Sequence, residues 1–487
     1  MILRFKNVSR YLPWTVSSAE TGFQRRWVLA LGLLLSLGFS AGAQSLGKFA
    51  PGSRVAFVGN SITEAGYYES YVWLYYMTRF PGQRIEVINC GVGGNTMKDI
   101  AARFDDDVLK RNPTVVLLTF GMNDSGYFEY NGDNPGAFAD KRVEESKQYF
   151  TTVVDKLKTN PNIQKVMVAS SPYDETMKNK DNYFPGKGKT MERIIAFQKE
   201  VATQNQWSFV DLYYPLQQIN LEGQKSNPEF TIIGKDRIHP GNGGHLVMAY
   251  TILKAQGLAG QAVADVEIDA KKKTVGRKVN AEINNLLVAK DRVSFDYLAA
   301  ALPFPIDSAS RMWGSEQKQS DALAVVPFMQ EFNQEVLRVR NLQAAAYRLL
   351  IDGEPMGDFK KENLDAGINL ALIVNTPQYK QAVQVANLNQ ARKEIEGKMR
   401  EYIGLQFSFF QSRGLLFKDD QAAYDLAKKQ AKIDWTVAGK IGTYESFRFP
   451  EVRQSNIDQQ KMLVDMIYEL NKPKTHRLEL VAIASKK

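Results

Sequence analysis

The chain has 487 residues, 44% hydrophobic and 24% charged, with a formal net charge of +9. That length allows two or three domains of ordinary size, and the composition is that of a globular protein. The positive charge is mild and part of it lies in the first 43 residues, so nucleic-acid binding is not expected; the single cysteine, Cys90, excludes an internal disulfide and a cysteine metal cluster.

Residues 1–43 read as a secretory signal peptide. Arg25-Arg26 precede a short apolar run, and Ala41-Gly42-Ala43 has the small residues of a cleavage site before Gln44. The run is short for a membrane span. The expectation is export to the periplasm or the exterior, without stable membrane insertion once the signal is cut.

From residue 53 to about 256 the pattern alternates. The apolar runs "RVAFVG", "IEVINCGV", "TVVLLTFG", "KVMVASSP" and "FVDL" are separated by stretches long enough for helices: Glu64–Arg79, Met97–Lys110, Asp140–Lys158, Thr190–Gln206 and Gly241–Ala255. The runs are continuous rather than alternating, as in parallel strands covered on both faces. This predicts an α/β domain over 44–256 with three α/β/α layers and a parallel sheet, with ligands beyond the carboxyl ends of the strands.

Beyond 257 the pattern changes to a mixed α+β accessory region, 257–487. "VEIDAKKKTVGRKV", "EVLRVRN" and "YRLLIDGEPMGDF" read as strands, with Asp352-Gly353 as a hairpin turn. Thr376-Pro377 suits the start of a long helix ending near Gly414. Helices are expected at 418–434 and 453–471, and a final strand at "HRLELVAI".

Four stretches fall at predicted strand exits or before the last helix of the first domain: "GNSIT", "NCGVGGNT", "FGMNDSG" and "KDRIHPGNGGH". Each alone has a plain structural reading. Ser61 with Glu64 three residues later reads as a capping box, the glycines as a tight turn, Asn123-Asp124 as a turn, and Asp236-x-x-His239 as a helix cap. Of three histidines, His239 alone has a carboxylate three residues before it; His245 reads as packing and His476 as structural. A hydrolytic serine needs a base and an acid to orient that base. No G-x-S-x-G elbow and no H-E-x-x-H occurs.

Together and in this order, the stretches resemble the blocks of the SGNH (GDSL-type) hydrolase family over about residues 53–256. The resemblance implies a flavodoxin-like domain and a serine esterase. It implies Ser61, Asp236 and His239 as the catalytic set, and an oxyanion hole from the N–H groups of Ser61 and Gly94 and the Asn123 amide. It implies no cofactor and no metal. The usual Asp before the serine is Asn60 here. Analogy with exported family members points to an ester partner such as an acylated carbohydrate. Lipase, arylesterase and thioesterase activities are the alternatives within the family. A glycan-binding protein on an inactive hydrolase scaffold is the alternative outside it.

Overall fold

β1 (Arg54–Gly59), β2 (Glu86–Gly91), β3 (Val115–Phe120), β4 (Gln164–Ala169) and β5 (Ser208–Val210) form one parallel sheet in the order β2-β1-β3-β4-β5. This is the flavodoxin-like strand order. The structure is a computed structural model that describes residues 44–312 and 314–483. The expected signal peptide, 1–43, lies outside the described residues.

The strands are apolar throughout because both faces are covered. Val55 and Phe57 of β1 join a core with α2 (Tyr68–Arg79), α6 (Tyr213–Gln224) and α7 (Asn242–Ala255). Ala56 and Val58 point the other way, to a core with α3 (Met97–Arg103), α4 (Pro135–Lys158) and α5 (Lys187–Gln204). Each fully buried Val, Leu or Phe contributes about 1.5–3 kcal/mol, so the two-sided pattern specifies the three layers. The short α1 (Ser61–Glu64) follows β1, and α3 runs on through a π-helical turn, Phe104–Val108.

The second half holds nine strands among the described residues, more than the three strand-like segments and one terminal strand that the sequence predicts. β6 (Ala264–Asp269), β7 (Thr274–Val279), β10 (Glu335–Arg340) and β13 (Ile368–Asn369) make one sheet. β8 (Ala281–Val288), β9 (Arg292–Ala299), β11 (Ala346–Ile351), β12 (Glu354–Lys360) and β14 (His476–Ala482) make an antiparallel one. Their facing sides share a core that includes Val266, Phe295, Val339, Leu349 and Leu480. The β11–β12 turn has Asp352 and Gly353 at φ 53° and 84°, the left-handed pair of a two-residue hairpin.

Two short helices, α8 (Phe328–Phe332) and α9 (Lys361–Ala366), precede the long α10 (Pro377–Leu405). Thr376 caps α10 by accepting from Tyr379 N–H, with Pro377 in its first turn. A π turn and a 3₁₀ turn carry the helical path to Gly414, at φ 66°. α11 (Gln421–Gln430), α12 (Trp435–Phe447) and α13 (Pro450–Leu470) complete the helical part. No helix among the described residues is long and apolar enough to cross a membrane.

Candidate active site

The loops after β1, β2 and β3 are neighbours, because β1 lies between the other two strands. Ser61 is the first helical residue of α1. The cap belongs to Asn60, whose Oδ1 accepts from Ile62 N–H at 3.1 Å. Glu64 does not close a capping box either; its Oε2 accepts from Gly93 N–H at 2.9 Å. The capping-box reading of Ser61 therefore gives way to a serine whose hydroxyl is free for another partner.

That partner is His239. Ser61 Oγ lies 2.9 Å from His239 Nε2, and His239 Nδ1 lies 2.6 Å from Asp236 Oδ2. The other carboxylate oxygen, Oδ1, accepts from the N–H groups of Ile238 and His239, each at 3.0 Å. Burial pushes the Asp236 carboxyl up, but these bonds and the imidazole outweigh it, leaving it below the usual carboxylate range. An ionised Asp236 keeps the proton on Nδ1, which turns the lone pair of Nε2 toward Ser61.

The turn that carries Asp236 and His239 is pinned from between. Arg237 has φ 67° and a fully buried side chain. Its guanidinium donates to the carbonyls of Asp174 at 2.7 Å, Asp181 at 2.9 Å, and Asn179. A guanidinium on three carbonyls fixes a local backbone that a non-glycine residue rarely adopts.

Gly94 and Asn123 lie at the ends of β2 and β3. Gly94 has φ 76°, a conformation that glycine adopts without steric penalty, and its N–H forms no hydrogen bond among the described residues. Asn123 donates one amide proton to Asn95 O at 2.9 Å, linking the two loops, and its Oδ1 accepts from Tyr127 O–H at 2.5 Å. The second amide proton remains available. The loop of Asn123 is held from below by the buried Lys187, whose Nζ reaches Met122 O, Gly126 O and Ser125 Oγ, each at 2.6 Å. Burial pushes that amine well below the usual lysine range.

Sequence reasoning missed Glu64, Lys187 and Arg237 as parts of the site, and the hydrogen bond by which Tyr127 holds Asn123. Glu64 was visible at the right spacing and carried the wrong partner. Lys187 and Arg237 act on backbone carbonyls, which leave no mark in the sequence.

An aromatic wall rises beside Asn123. Phe184 packs edge-on against Tyr127 at 5.7 Å and Phe128 at 5.3 Å between ring centroids. Phe128 is 76% exposed and Tyr183 45%, whereas Tyr67, Tyr68, Tyr130, Tyr173 and Phe184 are buried.

The other two histidines stay outside this group. His476, in β14, pairs with Asp352 at 2.7 Å. His245, in α7, is fully buried and stacks on Tyr68, with neither ring nitrogen hydrogen-bonded. Burial pushes it down to about 3, with smaller contributions from Lys393 and His239. A depressed histidine adds stability that is complete above its ordinary value of about 6.5 and lost as pH falls toward about 3. His245→Leu is expected to remove that acid-dependent loss, on the order of 4 kcal/mol between pH 7 and 3. Thermal unfolding of both proteins across this range is the check; parallel curves would count against it.

Residues 57–247 match the family model described as GDSL-like Lipase/Acylhydrolase, and residues 383–472 match the one described as Diltiazem deacetylase C-terminal helical domain. The solved structure of a gut microbial diltiazem-metabolizing enzyme is 44% identical, covers 91% of this chain and 100% of its own, and superposes with a TM-score of 0.88. The chain belongs to the GDSL-like lipase/acylhydrolase family. It is an ester-hydrolysing enzyme with a C-terminal helical domain. An acetylxylan esterase of Geobacillus stearothermophilus is 25% identical over 225 residues, which are 43% of this chain and 96% of that protein. The crystal structure of an acetylxylan esterase from the same organism gives a TM-score of 0.36 at 25% identity, with the same shares covered. In this GDSL-like acylhydrolase, the family position before the serine is used by Asn60 to cap α1, a bond that either an amide or a carboxylate oxygen can accept.

Proposed function

We propose that the chain is an exported serine esterase that removes short acyl groups, acetyl foremost, through an acyl-enzyme on Ser61. The observation that carries this reading is the relay from Ser61 Oγ to His239 Nε2 to Asp236 Oδ2, at 2.9 and 2.6 Å between its neighbours. His239 takes the hydroxyl proton as Ser61 Oγ bonds to the ester carbonyl carbon, and the carbonyl electron pair moves onto oxygen. The oxyanion meets the N–H groups of Ser61 and Gly94 and the free amide proton of Asn123. Collapse expels the alcohol, which takes the proton from the imidazolium and leaves an ester on Ser61. A water gives its proton to His239, attacks that ester and releases the carboxylic acid, while Ser61 regains its proton. Asp236 holds the imidazole tautomer and stabilises the imidazolium in both halves.

The acetyl preference is supported by the relative described as an acetylxylan esterase and by the match of residues 383–472 to the model described as Diltiazem deacetylase C-terminal helical domain. The exposed Phe128 and Tyr183 offer a face on which a sugar ring or an aromatic alcohol can stack. The carbohydrate reading rests on the 25% relative, and a reading as an acetyl esterase of small molecules rests on the 44% one, described as diltiazem-metabolizing, together with the diltiazem deacetylase helical model. Export is supported by the arginine pair, apolar run and Ala-Gly-Ala of residues 1–43.

Treatment with a fluorophosphonate is expected to stop hydrolysis and, as Ser61 Oγ displaces fluoride from phosphorus, to add the mass of the phosphonyl group less one hydrogen to the peptide carrying Ser61. Hydrolysis that survives full treatment, or a label elsewhere, would sink the mechanism. Acetylated xylo-oligosaccharides, aryl acetates and long-chain esters then rank the alcohol and acyl parts. Preference for the long chains would contradict the acetyl reading. Glycan binding without turnover of any ester would favour the non-catalytic alternative.

A further inference from the structure

The loop Gly91–Asn95 carries Gly94, and almost every other residue of it is anchored. Gly91 O accepts from Arg400 Nε of α10 at 2.9 Å. Val92 is fully buried in the core of the helical domain, among Tyr402, Leu405, Phe410 and Tyr444. Gly93 N–H donates to Glu64 Oε2 at 2.9 Å. Asn95 Oδ1 accepts from Arg103 Nε at 2.7 Å. Gly94 alone is exposed and uncommitted.

The anchors are tied to one another. Arg400 holds both oxygens of Asp107, at 2.8 and 2.7 Å, and Arg103 reaches the same carboxylate at 2.7 Å while donating to Gly59 O at 3.0 Å. Gly59 is the last residue of β1, two positions before Ser61. The remaining oxygen of Glu64, Oε1, lies 3.7 Å from Lys440 Nζ of α12. Gly404 of α10 is where the helix passes this pair; a Cβ there would stand 3.4 Å from Glu64 Oε1 and 3.2 Å from Lys440 Cε. Gly91 in turn lies against α1 so closely that a Cβ on it would stand 2.2 Å from Glu64 N. The loop is thus pressed between α1 and the helical domain, with charged groups fixing its backbone on each side.

We propose that Arg400 and Lys440 of the helical domain are positioning residues for the esterase, holding the Gly91–Asn95 loop so that Gly94 N–H meets the oxyanion. This rests on the reading of Ser61 as nucleophile and Gly94 as donor. The helical domain then acts on turnover. An oxyanion donor works in the transition state, so its displacement lowers kcat and leaves ground-state binding nearly unchanged.

The test is kinetics of the full chain on a small acetyl ester, with thermal unfolding alongside. Lys440→Met removes a charge at the domain surface, on a side chain 19% exposed, and should fold; kcat is expected to fall about 3- to 10-fold, with KM within about 2-fold and an unchanged unfolding midpoint. Lys440→Arg restores the charge and should recover most of the loss. Arg400→Lys should lose about 10- to 100-fold in kcat, since one ammonium cannot hold two carboxylate oxygens and a carbonyl together. Unaltered kcat in folded Lys440→Met overturns the proposal, as does a loss confined to KM. If Arg400→Lys fails to fold, Lys440→Met decides. Ser61→Ala separates the two readings. Activity surviving in it removes the mechanism itself; its loss alongside unaltered Lys440→Met and Arg400→Lys removes only the positioning role.

Discussion

Ser61→Ala is expected to lower kcat on a short acyl ester by a factor of about 10⁴–10⁶, with the fold and its stability unchanged. The size follows from losing covalent catalysis while the oxyanion donors and substrate contacts remain. The stability half of the prediction is as informative as the activity half. Were Ser61 the cap of α1, its hydroxyl would be worth about 1 kcal/mol to the fold. The capping bond comes from Asn60 Oδ1 instead, and the serine hydroxyl faces His239. Replacement at a half-exposed position with no structural bond should stay within about 0.5 kcal/mol. Measured together, kcat and the unfolding midpoint separate the two roles. A dead enzyme with unaltered stability identifies the nucleophile, whereas an active enzyme that unfolds earlier identifies a cap.

Those two roles were hard to separate in the sequence because Asn60 and Ser61 are both good capping residues, and one position decides between them. The strand ends at Gly59, the cap falls on Asn60, and Ser61 moves into the first helical turn. By contrast, the five strands were legible, and the flavodoxin-like arrangement came only from the family resemblance. Continuous apolar runs such as "TVVLLTF" read as strands covered on both faces, and Ser61, Gly94 and Asn123 stood just past three of them, while Asp236 and His239 stood just before the last helix of the domain. α12 was missed because "WTVAGKIGTYESF" carries two glycines and several β-branched residues, all poor helix formers. Packing of Val437, Tyr444 and Phe447 into the helical core overrides that preference. The anchoring of the Gly94 loop was invisible for another reason. Arg400 and Asp107 are 293 residues apart, and neither stands in a pattern that names its partner.

Asp107→Asn is expected to destabilise the protein by about 3–5 kcal/mol. Three guanidinium groups, those of Arg103, Arg111 and Arg400, end on this one carboxylate. Asp107, Arg103 and Arg400 are each at most 1% exposed. An amide in its place removes the negative charge and adds two protons facing donors, so buried cations lose their counter-charge. Burial alone pushes the Asp107 carboxyl up, but Arg400 first, then Arg111 and Arg103, outweigh it and hold it well below the usual range. The sign of the pH dependence follows. A carboxylate depressed in the folded state contributes stability that is complete above its unfolded value of about 3.9 and disappears as pH falls below it. The wild type should therefore lose stability steeply in acid, and Asp107→Asn should start lower at pH 7 but fall less on acidification. Urea unfolding at pH 7 and pH 2 reads both slopes, and equal losses between the two pH values would show that Asp107 does not carry the charge balance. Because the same carboxylate orients Arg400 on Gly91 O and Arg103 on Gly59 O, the folded fraction of the variant should also turn over more slowly. Full turnover per folded molecule would assign Asp107 to stability alone.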